Sequence, residues 1–500
     1  MVRASSYNIY VDLPESAEDM LLVHGYTGAY DKVSRRVATY VRSLEAARPP
    51  KPLFGAWSPE PAVDGQVVAP SDHTIAILKR RGYLTELSVE DEQRFFANVA
   101  SLLHQQEQRQ RPSYILMPTY NCNLRCSYCF QDHMRTNPAF NHLLRTMRRS
   151  MADRIIAAMS RIEAQHGYEP GQDAAPERQV GFFGGEPLLE HNRPIIEYIM
   201  TRLRALGPTN FWAVSNATDL HIYRDLLGPD GISFLQITLD GPPEEHNQRR
   251  IYADGSATFE RIARNITMAL EQGVAVSVRL NIDRNNINDL TRLAQEMIDR
   301  GWTSSRLFAP YTAPIRASND HTDMKTTFSS WELDQALDRL REQDPNMLVI
   351  NRPDDQIKQR VRGIFSKHAE PTRRATFCGA HSGMYVFDAF GDIYSCWERT
   401  GDPNIRIGYV TQTGDVVIEE RLNTLWRSRN VTTNAICKKC RYALYCGGGC
   451  AVLAEAQRGE FFTNYCDGYA ARFRAMVAET YLEHAAGVTV AAGVERPCDM

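Results

Sequence analysis

The chain has no run of about 18 consecutive apolar residues, so nothing in it reads as a membrane-spanning helix. Its first residues, MVRASSYNIYVDLPESAEDM, lack the apolar core of a signal peptide and turn acidic early. The expectation is a cytoplasmic protein. Positive charge is not in excess: 57 Lys and Arg against 60 Asp and Glu leave a net −3, which argues against a general nucleic-acid binder. No internal repeat and no long low-complexity tract interrupts the sequence. What is present is length and sulfur. Five hundred residues are too many for one ordinary core, so two to four domains are expected. Hydrophobic content of 43% and charged content of 23% fit a soluble globular chain. Eleven cysteines, an odd number in a reducing compartment, read better as metal ligands than as disulfides.

Residues 1–108 read as a small separate unit. YNIYVDL (7–13) alternates like a strand, and DMLLVHGYTGAY (19–30) reads as two strands about a glycine-containing turn. Helices follow in VSRRVATYVRSLEAA, near HTIAILKRRG and in the segment ending HQQEQRQRP, with a proline-rich connector over 47–65. From 109 to 310 six short apolar runs alternate with amphipathic segments: SYILMPT, RQVGFFG, FWAVSN, SFLQITLDG, VAVSVRLNI and SSRLFAP. Such repeats imply an α/β fold with a parallel sheet, either doubly wound or a partial barrel with its chemistry at the strand C-termini. Residues 311–377 form a less regular bridge with a helix near WELDQALDRLREQ. Its basic stretch KQRVRGIFSKHAEPTRR reads as a solvated helix face, with a surface for an acidic peptide as the alternative.

The metal question starts at ICKKCRYALYCGGGC, with Cys437, Cys440, Cys446 and Cys450. Alone, this stretch suits a zinc site and an iron–sulfur cluster equally. After the first strand of the repeats comes NCNLRCSYCF, with Cys122, Cys126 and Cys129 spaced C-x3-C-x2-C and Tyr128 before the third thiol. A closed structural zinc site takes four ligands, so three thiols on one loop fit zinc poorly. Three irons of a cubane cluster fit, and leave one iron for a ligand from outside the protein. This loop resembles the signature of the radical SAM superfamily, which implies a partial (β/α)6 TIM-like barrel and a [4Fe–4S] cluster. In that family the open iron binds the amino and carboxylate groups of S-adenosylmethionine, and reduction yields a 5′-deoxyadenosyl radical.

Other segments match the family in order. FFGGEPLL supplies Gly184, Gly185, Glu186 and Pro187, resembling the G-G-E-P segment whose backbone receives the methionine amino group. VSNAT, with Ser215 and Asn216, sits where the family has T-N-G-T, and Ala217 in place of glycine weakens any backbone approach there. ITLDGPPEEHNQRR resembles S-x-D-G-P…H…R and implies Thr238 near the ribose and Arg250 at the methionine carboxylate. Arg279 and Asn281 in VRLNIDRNNI match the pattern after the fifth strand, or serve as strand-end polar groups.

Downstream, Cys378, Gly391 and Cys396 precede the four-cysteine stretch and Cys466 follows it, an order that resembles the seven-cysteine SPASM domain. The resemblance implies a C-terminal iron–sulfur domain over 378–470 and a C-terminal helix and tail over 471–500. It implies two auxiliary [4Fe–4S] clusters, three clusters in all. Cys437, Cys440, Cys446 and Cys466 would hold one completely; Cys378, Cys396 and Cys450 would hold the other, one ligand short. The missing donor is Cys498, His381 or the substrate on an open iron, and the open iron is favoured. Cys498 otherwise reads as a free terminal thiol.

A substrate radical that forms a new bond usually releases one electron, and a chain of clusters can carry it away. Enzymes with this domain order modify ribosomally made peptides or proteins, so the partners implied are a precursor peptide and an electron donor such as flavodoxin or ferredoxin. The N-terminal unit is expected to be a winged-helix-like element that captures a leader peptide by strand addition. Sulfatase-maturing enzymes share the layout but carry an aspartate where this chain has Trp397, which makes sulfatase maturation the second reading. A non-catalytic electron-transfer or zinc-binding module is the third. No catalytic acid or base is identified.

Overall fold

In the computed structural model, which describes residues 2–45, 67–169, 176–316, 322–352 and 356–487, the chain begins with short strands. These are β1 (Arg3–Ala4), β2 (Asn8–Asp12), β3 (Asp19–His24), β4 (Tyr30–Ser34) and β5 (Leu84–Thr85). The second, third and fourth form an antiparallel meander, and β1 pairs with β5. Helices Arg35–Ser43, Asp72–Arg81 and Val89–Arg109 each begin after a serine, Ser34, Ser71 or Ser88, whose hydroxyl accepts a backbone N–H of the first turn. The proline-rich connector lies outside the described residues.

The meander is apolar in both phases of its alternation, because both of its faces are covered. Tyr10, Met20 and Leu22 pack on the unit's own helices through Ala38, Val41 and Leu78. Ile9, Val11, Leu21 and Val23 pack on Phe473, Met476 and Val477 of the C-terminal helix Tyr469–Ala485. The N-terminal unit, expected to stand apart, is thus docked on the far end of the chain. Tyr7 donates to the Lys438 carbonyl at 2.7 Å, and Tyr445 donates to that of His24 at 3.0 Å. At Gly25 a Cβ would stand 2.2 Å from the Arg441 carbonyl oxygen, so no side chain fits there.

The six expected parallel strands are β6 (Ser113–Leu116), β7 (Arg178–Phe182), β8 (Thr209–Ser215), β9 (Ile232–Leu239), β10 (Ala275–Ile282) and β11 (Phe308–Pro314). They lie side by side in chain order, with every pair parallel. Helices Arg149–Gln165, Arg193–Arg204, Phe259–Glu271 and Leu290–Asp299 separate most of them, but a 3-10 helix, Leu220–Leu226, is the element between β8 and β9. The last strand runs to Pro314, past the expected boundary at 310, because Trp302–Ser304 takes a 3-10 turn and delays its start.

The sheet does not end at β6. Strand β12 (Met384–Phe387) pairs with it in parallel, and β13 (Asp392–Tyr394), β14 (Gly408–Val410) and β15 (Val416–Ile418) continue antiparallel, giving ten strands. The cysteine-rich C-terminal region therefore grows out of the barrel's own sheet. Part of the basic stretch of the bridge lies in helix Gln356–Lys367, where Lys358 and Arg362 are paired, whereas residues 366–370 are exposed. Lys358 pairs with Glu479 at 2.6 Å and Glu483 at 3.0 Å, and Arg362 with Glu483 at 2.9 Å, so the acidic surface it meets is the C-terminal helix. Among the described residues no helix is long and apolar enough to cross a membrane.

Asp388, at the turn between β12 and β13, locks this junction. Its carboxylate accepts the N–H groups of Phe390 at 2.9 Å and Asp392 at 3.0 Å, and the hydroxyl of Tyr120 at 3.0 Å. Burial, with the charge of Asp392 added, pushes its pKa up to about 7. The folded protein therefore holds a proton there that the unfolded chain releases near pH ~4, and stability falls as pH rises from there to about 7. Asp388→Asn keeps the shape and removes the ionisation. Its thermal midpoint is expected to exceed the wild-type value at pH 8, by on the order of 1–2 kcal/mol in stability, and to approach it at pH 5. A difference that does not change with pH would contradict this account.

Candidate functional site

The loop that follows β6 carries Cys122, Cys126 and Cys129 at the C-terminal end of the sheet. Its backbone is tied to the segment after Arg250: Arg125 N–H donates to the Ile251 carbonyl at 2.9 Å, and Ala253 N–H to that of Asn123 at 3.0 Å. The three thiols lie close enough to act on one another electrostatically. Burial pushes Cys122 up to about 11, with Glu186 adding to it and Arg135 opposing. Burial pushes Cys126 up to about 12 against the pull of Arg250. Cys129 Sγ accepts from Arg135 Nη2 at 3.0 Å. Buried thiols of this kind need a compensating positive charge to become thiolates, which a bound metal supplies.

Tyr128 is the hub beside them. Its hydroxyl donates to Asp240 and accepts from Arg250 Nη1 at 2.7 Å and Asn281 Nδ2 at 3.1 Å. Asp240 lay inside a motif already singled out, in ITLDG, but nothing in the sequence gave it a partner. Arg250 Nε and Asp240 Oδ1 are buried without a hydrogen-bond partner among the described residues. Buried polar atoms are normally satisfied, so this pair has spare capacity of the kind an amino-acid headgroup fills. Thr238 lies buried in β9, opposite Arg279 in β10.

Gly184 and Gly185 permit a close backbone approach to the cysteine loop. A Cβ at Gly184 would meet the Thr119 carbonyl oxygen at 2.4 Å, and one at Gly185 that of Asn121 at 2.3 Å. Glu186 is engaged internally: it accepts from Ser215 Oγ at 2.7 Å, Asn216 N–H at 2.6 Å and Leu188 N–H at 2.9 Å. It therefore braces the end of β8, with Asn216 Nδ2 reaching Asn123 Oδ1 at 2.9 Å and Cys122 Sγ at 3.7 Å. Pro187 is buried behind it, its carbonyl accepting from Asn192 Nδ2 at 3.1 Å.

The C-terminal thiols form two further electrostatically coupled groups. Cys378 and Cys396 act with Cys450, and Cys437 with Cys440, Cys446 and Cys466. Burial pushes Cys378 up to about 11. Among the described residues no three His, Cys, Asp or Glu side chains converge tightly enough to hold a single metal ion.

His381, one candidate for the missing fourth donor, is already committed. Its Nδ1 bonds the Trp426 carbonyl at 2.9 Å and its Nε2 meets Arg429 Nη1 at 3.4 Å. Burial and the neighbouring Arg429 bring its pKa down to about 3, so the ring is neutral and accepts from Arg429. Cys498 lies outside the described residues. Sequence reading missed Glu398, which stands electrostatically against Cys396 and Cys450 and faces Arg279 of the barrel. Trp397 turns away from that role, its ring 5.7 Å from Phe183.

The parallel sheet with a three-cysteine loop at its C-terminal end defines a radical SAM fold. Residues 116–297 match the model of the Radical SAM superfamily, and the chain carries a radical SAM domain over that stretch. It is similar to the cysteine-type anaerobic sulfatase-maturating enzyme of Clostridium novyi (strain NT), at 21% identity over 389 residues, 72% of this chain and 94% of the relative. The enzyme of the same description from Clostridium perfringens (strain 13 / Type A) is 18% identical over 374 residues, 70% of this chain and 91% of that one. Among solved structures, native anSMEcpe with bound AdoMet superposes with a TM-score of 0.55 at 15% identity, covering 75% of this chain and 99% of that one. At that identity the likeness concerns the fold.

Ala217 follows the Ser215–Asn216 pair with φ +62 and a fully buried methyl group. Alanine here holds the left-handed conformation that suits glycine, at a cost of about 1–2 kcal/mol. Ala217→Val, β-branched in that region, is expected to destabilise the protein by ~2 kcal/mol or more in thermal unfolding. Ala217→Gly is expected to stay within ~1 kcal/mol of wild type, since relief of strain is offset by the lost methyl and the freer unfolded chain. A harmless valine would refute the strained assignment.

Proposed function

We propose that this chain is a radical SAM maturase that modifies a ribosomally made precursor peptide, by a thioether or carbon–carbon crosslink between side chains. The observation that carries the reading is the meeting of the Cys122, Cys126 and Cys129 loop with the Tyr128, Arg250 and Asp240 group, which has unpartnered buried polar atoms and acts electrostatically on Cys126. Bound there, a [4Fe–4S] cluster and S-adenosylmethionine supply a 5′-deoxyadenosyl radical. The three thiolates hold the cluster. Arg250 pairs with the methionine carboxylate, Gly184, Gly185 and Pro187 present backbone to its amino group, and Ser215, Asn216 and Thr238 line the nucleoside side. Glu186 orients Ser215 and Asn216.

The two C-terminal thiol groups would hold auxiliary [4Fe–4S] clusters able to accept the electron released on bond formation, and a flavodoxin or ferredoxin would be the source of the reducing electron. The engagement of His381 supports an open or exchangeable position on the Cys378, Cys396 and Cys450 group. Replacing Cys122, Cys126 and Cys129 together by alanine is expected to abolish 5′-deoxyadenosine formation under dithionite while the auxiliary iron stays. Continued cleavage in that variant would sink the radical SAM reading. Wild-type protein that carries iron but cleaves no S-adenosylmethionine would favour a non-catalytic electron carrier.

The peptide-recognition role falls to the N-terminal unit. Strand β4 is an edge of its sheet, and an extended leader peptide adds there as a further strand. Because the unit is packed into the C-terminal region, deleting residues 1–108 would expose apolar surface, and a milder probe is needed. Amide hydrogen exchange of residues 30–34 is expected to slow when a precursor peptide that the protein binds is added. Unchanged exchange with measurable binding would remove this assignment.

Sulfatase maturation is the second reading, favoured by the curated relatives, which match most of this chain. Against it stands Trp397, packed on Phe183, where those enzymes are expected to carry an aspartate. Oxidation of a cysteine or serine in a sulfatase-derived peptide, read as a mass change, would reverse the order of the two.

A further inference from the structure

Arg429 follows helix Glu420–Ser428 and is almost completely buried, at 3% exposure. Its side chain makes four polar contacts, and none is with an acid. Nε donates to the Phe461 carbonyl at 2.9 Å, Nη2 to the Thr463 carbonyl at 2.8 Å and Nη1 to the Gly449 carbonyl at 3.0 Å. Nη1 also meets His381 Nε2 at 3.4 Å. Three of these partners sit beside thiols of both C-terminal groups: Gly449 precedes Cys450, His381 lies three residues after Cys378, and Thr463 lies three residues before Cys466.

A buried guanidinium without a carboxylate is destabilising unless another negative group offsets it. The groups that act on Arg429 are cysteines, which become thiolates when they hold a cluster, and they come from both sets: Cys437 and Cys446 from one, Cys378 and Cys450 from the other. Other cations also stand near these thiols. Arg316 acts on Cys450, where it is also held by Tyr465 and Asp467. Arg458 acts on Cys466. Arg374 and Arg427 act on Cys378, and Arg374 also bonds the carbonyls of Tyr445 and Phe377, beside Cys446 and Cys378. Arg429 is a guanidinium on which two thiols of each group act.

We infer that Arg429 is a shared counter-charge for the two auxiliary clusters, one that raises the reduction potential of both and so makes them acceptors for the electron leaving the substrate. The inference rests on the auxiliary-cluster reading above. Its physics is simple. Each one-electron reduction adds one negative charge to a cluster that is already anionic, and a fixed positive charge nearby in a dry interior stabilises the reduced form more than the oxidised form. Burial lowers the pKa of Arg429, yet a guanidinium stays charged at any physiological pH, so the effect does not depend on titration.

The test is a redox titration followed by electron paramagnetic resonance. It uses full-length protein in which Cys122, Cys126 and Cys129 are alanine, so that only auxiliary signals remain. Arg429→Lys keeps the charge, and Arg429→Gln keeps a polar side chain without it; both disturb the carbonyl contacts. The expected result is that the glutamine variant shifts both midpoint potentials to more negative values, or loses auxiliary iron, while the lysine variant stays near the parent. If the two variants behave alike, whether in potential, in iron content or in failing to fold, Arg429 serves the fold alone and the inference is overturned. A parent protein without auxiliary iron would sink the cluster reading, and this inference with it; a parent with both clusters but no lysine–glutamine difference sinks the inference alone.

Discussion

An open parallel sheet has two bare edges, and a bare edge is a row of unpaired N–H and C=O groups that the protein must cover. In this molecule the pairing of β12 with β6 covers one of them. That contact sets the position of nearly everything that carries chemistry. It continues past the strands, where Met117 N–H donates to the Phe387 carbonyl at 2.8 Å. Tyr120 then reaches Asp388 immediately before the cysteine loop begins. The region holding the last seven described thiols is therefore registered against the loop holding the first three by backbone hydrogen bonds. A flexible tether between two domains would leave their separation undefined. A shared sheet fixes it.

The parts legible in the sequence are those governed by local periodicity. The meander, the six parallel strands and the helix Ser330–Gln343 all follow from apolar spacing, capping serines and glycine turns. The three-cysteine loop and Tyr128 were legible because the spacing itself is the chemistry. What failed to show was contact at long range. Strand β12 is four residues long, and its partner lies about 270 residues earlier, so no local pattern announces it. The basic stretch around Lys358 looks solvated until Glu479 and Glu483 are folded onto it. Asp240 and Glu398 belong to the same class, because their partners Tyr128 and Arg279 come from other strands or loops. The engagement of His381 with Trp426 and Arg429 was likewise invisible, because neither partner is near it in sequence.

Burial raises the pKa of thiols in all three cysteine groups, so none of the groups is stable as bare thiolate. The cations placed against them differ in kind. Beside the radical loop, Arg135 donates directly to a thiol, while Arg250 keeps a buried Nε free and faces Asp240 across the Tyr128 hydroxyl. That is the arrangement of a binding site, with charge held ready for a ligand that comes and goes. Between the two C-terminal groups, Arg429 has its guanidinium committed to three carbonyls and an imidazole. That is the arrangement of a fixed field, with nothing left over for a ligand. Electrostatics thus distinguishes the three-cysteine loop from the two C-terminal thiol groups. The boundary falls at Glu398 and Arg279, where the barrel and the cysteine-rich region face each other with opposite charge.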